Sequence, residues 1–187
     1  MPTPEIYVPP PRWYDDIGYV IGIGGGVSDF SHSVMRNTTG TGGSWDARFT
    51  VGTHSYIALE ASYIGSAQSI HRIGLSESST LFGNGVQGAL RINGNTHYPV
   101  QPFVYGGAAY RFYSVSSTAN LSDVAQSTNV FEIPVGGGLA VYLGYLTFDV
   151  RGEYRFTWGG EHLIPELVNT SGALDRWNAT ANVGYEF

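Results

Sequence analysis

Apolar and polar residues alternate along this chain with a period of two, and the alternation recurs eight times. It is sharpest in TFDVRGEYRFTW, residues 147–158. There Asp149, Arg151, Glu153 and Arg155 take every second position, with Phe148, Val150, Gly152, Tyr154 and Phe156 between them. At about 100° per residue a helix would scatter those charges over two opposed faces and mix them with the rings. Successive side chains of a strand point to opposite faces, so the same stretch gives one ionic face and one without charge. Such a strand fits a half-buried sheet in water, or a wall with lipid outside and a polar interior. The other seven decide between them.

The first strand is expected over residues 17–28, with Tyr19, Ile21, Ile23 and Val27 on one parity and Gly18, Gly22, Gly24 and Gly26 on the other. The second, 44–52, sets Trp45, Ala47, Phe49 and Val51 against Asp46, Arg48 and Thr50. The third, 56–65, sets Ile57, Leu59, Ala61 and Tyr63 against Ala58, Glu60 and Ser62. The fourth, 81–93, sets Phe82, Val86, Leu90 and Ile92 against Gln87 and Arg91. The fifth, 100–113, sets Val104, Ala108, Tyr110 and Phe112 against Gln101, Gly107 and Arg111. The sixth, 129–142, sets Phe131, Ile133, Val135, Leu139 and Val141 against Glu132, Gly136 and Gly138. The seventh covers 146–158. The eighth, 176–187, sets Trp177, Ala179, Ala181, Val183, Tyr185 and Phe187 against Asn178, Thr180, Asn182 and Glu186.

The apolar residues fix this register, so the charges test it independently. Asp46, Arg48, Glu60, Arg91, Arg111, Glu132, Asp149, Arg151, Glu153, Arg155 and Glu186 all fall on the parity opposite the apolar row. The connections alternate too. GTHSY, NGNTHYP and residues 143–145 are short, whereas residues 30–43, 66–80, 114–128 and 159–175 form long Ser-, Thr-, Asn- and Gly-rich loops. Short turns on one rim and long loops on the other are the build of an outer-membrane barrel. Twelve residues rising ~3.4 Å each and tilted ~40° span ~30 Å, enough for a bilayer. Aromatics band at both ends of the outward rows. Trp13, Tyr14, Tyr19, Tyr142, Tyr145, Tyr185 and Phe187 lie near the short-turn rim, and Trp45, Tyr63, Phe82, Tyr110, Phe112, Phe131, Tyr154, Phe156 and Trp177 toward the other.

The expected fold is therefore all-β, an eight-stranded antiparallel up-and-down transmembrane β-barrel over residues 15–187. A Pro-rich periplasmic lead-in over residues 1–14 precedes it. Composition agrees. Charged residues are 13% of the chain, about half the usual share, and there is no Cys to form a disulfide or a thiolate metal site. All nine basic residues are Arg, whose five-donor fork suits ordered ion pairs. A net charge of −6 without a basic cluster argues against nucleic acid. No stretch reaches the ~18 apolar residues of a spanning helix, a test that spanning strands escape. Met1 is followed at once by PTPEIYVPPPRW, which is no cleavable export signal, so an exported form is expected to derive from a longer precursor.

The glycine-striped GYVIGIGGGV, QPFVYGGAAYRF, VRGEYRFTW and terminal NVGYEF resemble the OmpA-like transmembrane domain of Gram-negative outer membranes. The resemblance covers residues 15–187 and implies an outer-membrane location, among outer-membrane lipid and lipopolysaccharide. It also implies that the alternating row ending in Tyr185 and Phe187 is the signal read by the barrel-assembly machinery. No second, peptidoglycan-binding domain of the kind full-length members carry is expected within these residues.

Eight strands enclose a bore just wide enough for side chains to fill. Arg48, Arg91, Arg111, Arg151 and Arg155 are expected to pair with Asp46, Glu60, Glu132, Asp149, Glu153 and Glu186 in a wet plug, with Gly22, Gly24 and Gly136 making room. The alternative is a charge-lined conducting channel. The five histidines form no close-spaced ligand set, so neither metal nor cofactor is expected. The glycines of residues 22–26 lack the helix and ribose-binding acid of a nucleotide loop. Ser31, His32 and Ser33, or Ser69, Ile70 and His71 with Glu77, are the candidates for a lipid-modifying enzyme. A water-soluble barrel around a small hydrophobe would leave the aromatic rows and terminal Phe unexplained. The expected role is structural or surface-interactive, without catalysis, and the long loops are where an extracellular ligand would bind.

Overall fold

Alternating rows can bury their polar parity only if the sheet curls until its edges meet, and the chain does this. The structure, a computed structural model, describes residues 17–32, 40–70, 79–94, 96, 98–116, 127–158 and 174–187. Its strands are β1 (Tyr19–Phe30), β2 (Gly42–Val51), β3 (Ile57–Ile70), β4 (Ser79–Asn93), β5 (Val100–Ser116), β6 (Ser127–Leu143), β7 (Leu146–Trp158) and β8 (Arg176–Glu186). Each pairs antiparallel with its sequence neighbour, and β1 also pairs with β8, closing the barrel without a free edge. Between Leu143 and Leu146 the chain reverses in two residues, and Gly144 supplies the positive φ (63°) that this tight hairpin needs.

β7 has the bounds expected from its alternation, while β3 continues to Ile70, β5 to Ser116, and β6 begins at Ser127. Residues 66–70 and 114–116, read as loop, are strand. Cross-strand hydrogen bonds need no apolar side chain once the ladder passes beyond the hydrocarbon, so a polar sequence continues the sheet there. The ten residues of β2 span ~26 Å at ~40° tilt, whereas β5 and β6, with seventeen each, reach ~44 Å. The barrel is thus taller on its β3–β6 side. Between β5 and β6 the ladder skips the rungs opposite Ile133 and Pro134, as a residue without an N–H requires.

The wall is apolar outside. Ile23 is 65% and Val150 56% exposed, with Phe49, Leu59, Leu90, Val104 and Leu139 in the same outward rows. A water-soluble protein rarely exposes so continuous an apolar surface, whereas hydrocarbon accepts it. Asp29 breaks the parity rule, at the last rungs of β1, where its carboxylate accepts from the Phe30 amide and the Thr41 hydroxyl. Inward rows also carry rings that hydropathy alone had not placed. Phe103, Tyr105 and Tyr113 of β5 are buried inside, and Tyr142 sends its hydroxyl inward to Gln101 rather than joining the rim belt. At the long-loop end Phe30, Leu81, Val130 and Leu174 are buried on inward positions.

Residues 1–14, most of the four long loops, and with them Ser33, His71, Glu77, His97 and His162, lie outside the described residues.

Candidate functional site: the ionic interior

Among the described residues every arginine is inside the barrel: Arg48, Arg91, Arg111, Arg151, Arg155 and Arg176. They form two knots of the same construction. In the short-turn half, Glu60 of β3 has Arg48 of β2 and Arg91 of β4 two rungs away, one on either side. Diagonal neighbours on one face are within reach of long side chains. Arg91 Nη1 lies 3.3 Å and Arg48 Nε 3.8 Å from the carboxylate, and Arg151 of β7 crosses the bore to 3.1 Å. In the long-loop half, Glu132 of β6 has Arg111 of β5 and Arg155 of β7 as its diagonal neighbours. Arg155 Nη1 comes to 2.9 Å and Arg111 Nε to 3.4 Å, and Arg176 of β8 completes the trio at 3.7 Å.

Further acids link and balance the knots. Asp149 meets Arg151 Nε at 2.9 Å and Arg48 Nη1 at 3.7 Å, and Asp46 meets Arg48 Nη2 at 2.7 Å. Glu153 pairs with Arg155 and accepts from the Tyr105 hydroxyl (3.0 Å) and Asn178 Nδ2 (2.9 Å). Neutral acceptors take what remains. Arg91 donates to Asn93 (2.6 Å) and Gln101 (3.3 Å), and Arg155 to Gln87 (2.6 Å). Arg111 and Arg176 share the Ser66 hydroxyl, at 3.0 and 3.2 Å. Removing a guanidinium from water costs several kcal/mol, and only dense pairing of this kind offsets it.

Glu186 behaves differently from expectation. Among the described residues its close partners are not arginines: Thr53 donates its hydroxyl at 2.6 Å, and His54 Nε2 stands 3.2 Å away. At the end of β8 it sits at the short-turn rim, where the 52–56 turn reaches it first.

Aromatic faces fill the space between the knots. The Arg91 guanidinium lies 3.8 Å from the Phe103 ring centroid, and Arg151 5.0 Å from Phe103 and 5.1 Å from Tyr105. Arg111 and Arg176 both lean on Tyr113, at 5.8 and 5.9 Å. Cations over ring faces are attracted by the π-cloud, more so when desolvated. Gly136 and Gly138 pair with Tyr105 and Phe103 on β5, and a Cβ at either glycine would strike those rings. The room at Gly136 is thus taken by Tyr105, not by a guanidinium as the sequence reading had it. Gly22 does stand beside Arg48, and Gly24 beside Asp46, across the β1–β2 pair.

Small internal cavities lie among the described residues, one of about 20 Å³ beside Arg48, Arg91 and Asp149 and another of about 30 Å³ beside Arg111, Arg155 and Arg176. A water needs roughly 10–15 Å³. His32 and His54 stand at opposite ends of the barrel, and among the described residues no group of acids and histidines is placed to hold a metal ion. Of the two candidate Ser–His groups, Ser31 and His32 follow the end of β1, and Ser69 faces outward from β3. The interior members that sequence reading missed are Arg176, Phe103, Tyr105, Tyr113 and Tyr142. Arg176 shares its parity with Asn178, Thr180 and Asn182, and the β5 rings share theirs with Gln101 and Arg111, a signal that was present but not used.

Solved structures of the same fold are known. NspA, the Neisserial surface protein A, superposes with a TM-score of 0.63 at 16% identity, over 91% of this chain and 97% of that one. Ail, the attachment invasion locus protein of Yersinia pestis, gives 0.60 at 13% identity, over 92% and 99%. The outer membrane protein OprG from Pseudomonas aeruginosa gives 0.58 at 12% identity, over 92% and 96%. No protein-family model matches the chain, and no curated relative was found. The fold is that of the small eight-stranded outer-membrane β-barrels of the OmpA-like kind.

Proposed function

We propose that the chain is a small barrel of a Gram-negative outer membrane, its lumen closed by ion pairs and its long loops outside. It serves a structural or surface-interaction role without catalysis. The observation that carries this reading is the division of the wall into an apolar exterior and an interior whose arginines are all engaged by carboxylates. Small internal cavities of about 20 and 30 Å³ among the described residues support a lumen that holds single waters and carries no steady flow. The paired rings and guanidiniums between the two knots support the closed reading over the porin-like one. Two similar structures bear the names of an attachment protein and a surface protein, which supports seeking a partner at the loop end.

In this role the outward rows meet phospholipid on one leaflet and lipopolysaccharide on the other. The terminal row supports assembly. Phe187 stacks on Tyr19 at 6.0 Å and Tyr185 on Tyr145 at 5.8 Å, both facing outward, where an assembly machinery could read them. Planar-bilayer recordings of the refolded protein are expected to show no steady conductance. Large, stable single-channel steps would overturn the closed lumen.

A further inference from the structure

We infer that the larger internal cavity, bordered by Arg111, Arg155, Arg176 and Ser44, is a binding site for one small monovalent anion of halide size. Arg48, Arg91 and Arg151 are balanced by Asp46, Glu60 and Asp149, with Arg48 and Asp46 also bordering this cavity, whereas Arg111, Arg155 and Arg176 face Glu132 and Glu153 among the described residues. Glu186, which would balance the total, sits at the far rim with Thr53 and His54. Among the described residues one interior positive charge is therefore surplus, next to a cavity and below the buried Phe30, Leu81, Val130 and Leu174. An uncompensated charge so removed from water is destabilising by several kcal/mol.

Arg176 is fully buried and has the longest of the three contacts to Glu132, and its Nε–H has no hydrogen-bond acceptor among the described residues. The Ser44 hydroxyl is likewise buried and unpartnered, and both residues border the cavity. The carboxylates beside it are engaged: Glu153 by Arg155, Tyr105 and Asn178, and Asp46 by Arg48. At about 30 Å³ the space holds one small ion. Two acceptors, Asp46 Oδ1 and Asn178 Oδ1, also lack hydrogen bonds here, which makes water the competing occupant.

The test refolds the protein in detergent with sodium chloride, sodium bromide or sodium gluconate at equal ionic strength. The thermal midpoint is read by heat-modifiable gel mobility. The midpoint is expected to rise with the logarithm of halide concentration, by about 5–11 °C at a hundredfold excess over the dissociation constant, and not with gluconate. Crystals grown in bromide should show an anomalous peak within hydrogen-bond reach of Arg176 Nε. Ser44→Ala, which removes no charge, should weaken the halide dependence, and Arg176→Gln should abolish it. Should Arg176→Gln fail to fold, the bromide peak in the unaltered protein decides. Equal midpoints in all three salts, or a cavity holding water alone in bromide crystals, would overturn the site. A missing peak leaves the closed lumen standing, whereas channel steps sink the closed lumen and leave the peak readable.

Discussion

Glu132→Ala is expected to destabilise the refolded barrel by about 3–5 kcal/mol, the range for breaking a buried ion pair from one side. The carboxylate is fully buried and is the common acceptor of Arg111, Arg155 and Arg176. Its removal leaves three guanidiniums facing one another with Glu153 as the nearest acid, and it strips the Tyr113 hydroxyl of its acceptor at 3.2 Å. The check is urea unfolding in detergent, followed by Trp fluorescence and gel mobility. A loss below ~1 kcal/mol, the range of solvent-exposed pairs, would mean that the knot is hydrated.

The second large effect lies one residue from an existing arginine. Val150 and Arg151 are neighbours in β7, yet Val150 faces lipid and Arg151 meets Glu60 and Asp149 inside. Val150→Arg places the same guanidinium on the wall near the middle of the strand. That should cost about 2–4 kcal/mol near the bilayer midplane. Unfolding from lipid vesicles measures it. A neutral outcome would mean that this face is not in hydrocarbon.

The contrast between these two positions also explains what could be read in advance. Where one row is charged and the other apolar, as in β7, parity and bounds follow from residue type alone. The β5 segment QPFVYGGAAYRFY has rings on both parities, so hydropathy cannot say which enter the bore. The parity shared with Gln101 and Arg111 marks Phe103, Tyr105 and Tyr113 as inward, and Gly136 and Gly138 on the neighbouring β6 make the room for Tyr105 and Phe103. Tyr142 was misplaced for the same reason, since a ring near a rim suits either face until its hydroxyl finds Arg91 and Gln101. Arg176 opens β8, where the parity it shares with Asn178, Thr180 and Asn182 after it is the one mark of its side. The polar tops of β3 and β5 look like loop because the strand signal in a membrane wall comes from lipid contact, which ends before the hydrogen-bonded ladder does.

Side-chain direction is tested most directly by nitroxide labels on single cysteines at Ile23, Val104, Leu139 and Val150, in a chain with no cysteine of its own. In reconstituted vesicles, each label should collide freely with dissolved oxygen and hardly at all with a water-soluble nickel chelate. Strong relaxation by the chelate at these four sites, with oxygen contact low, would contradict a wall that faces lipid.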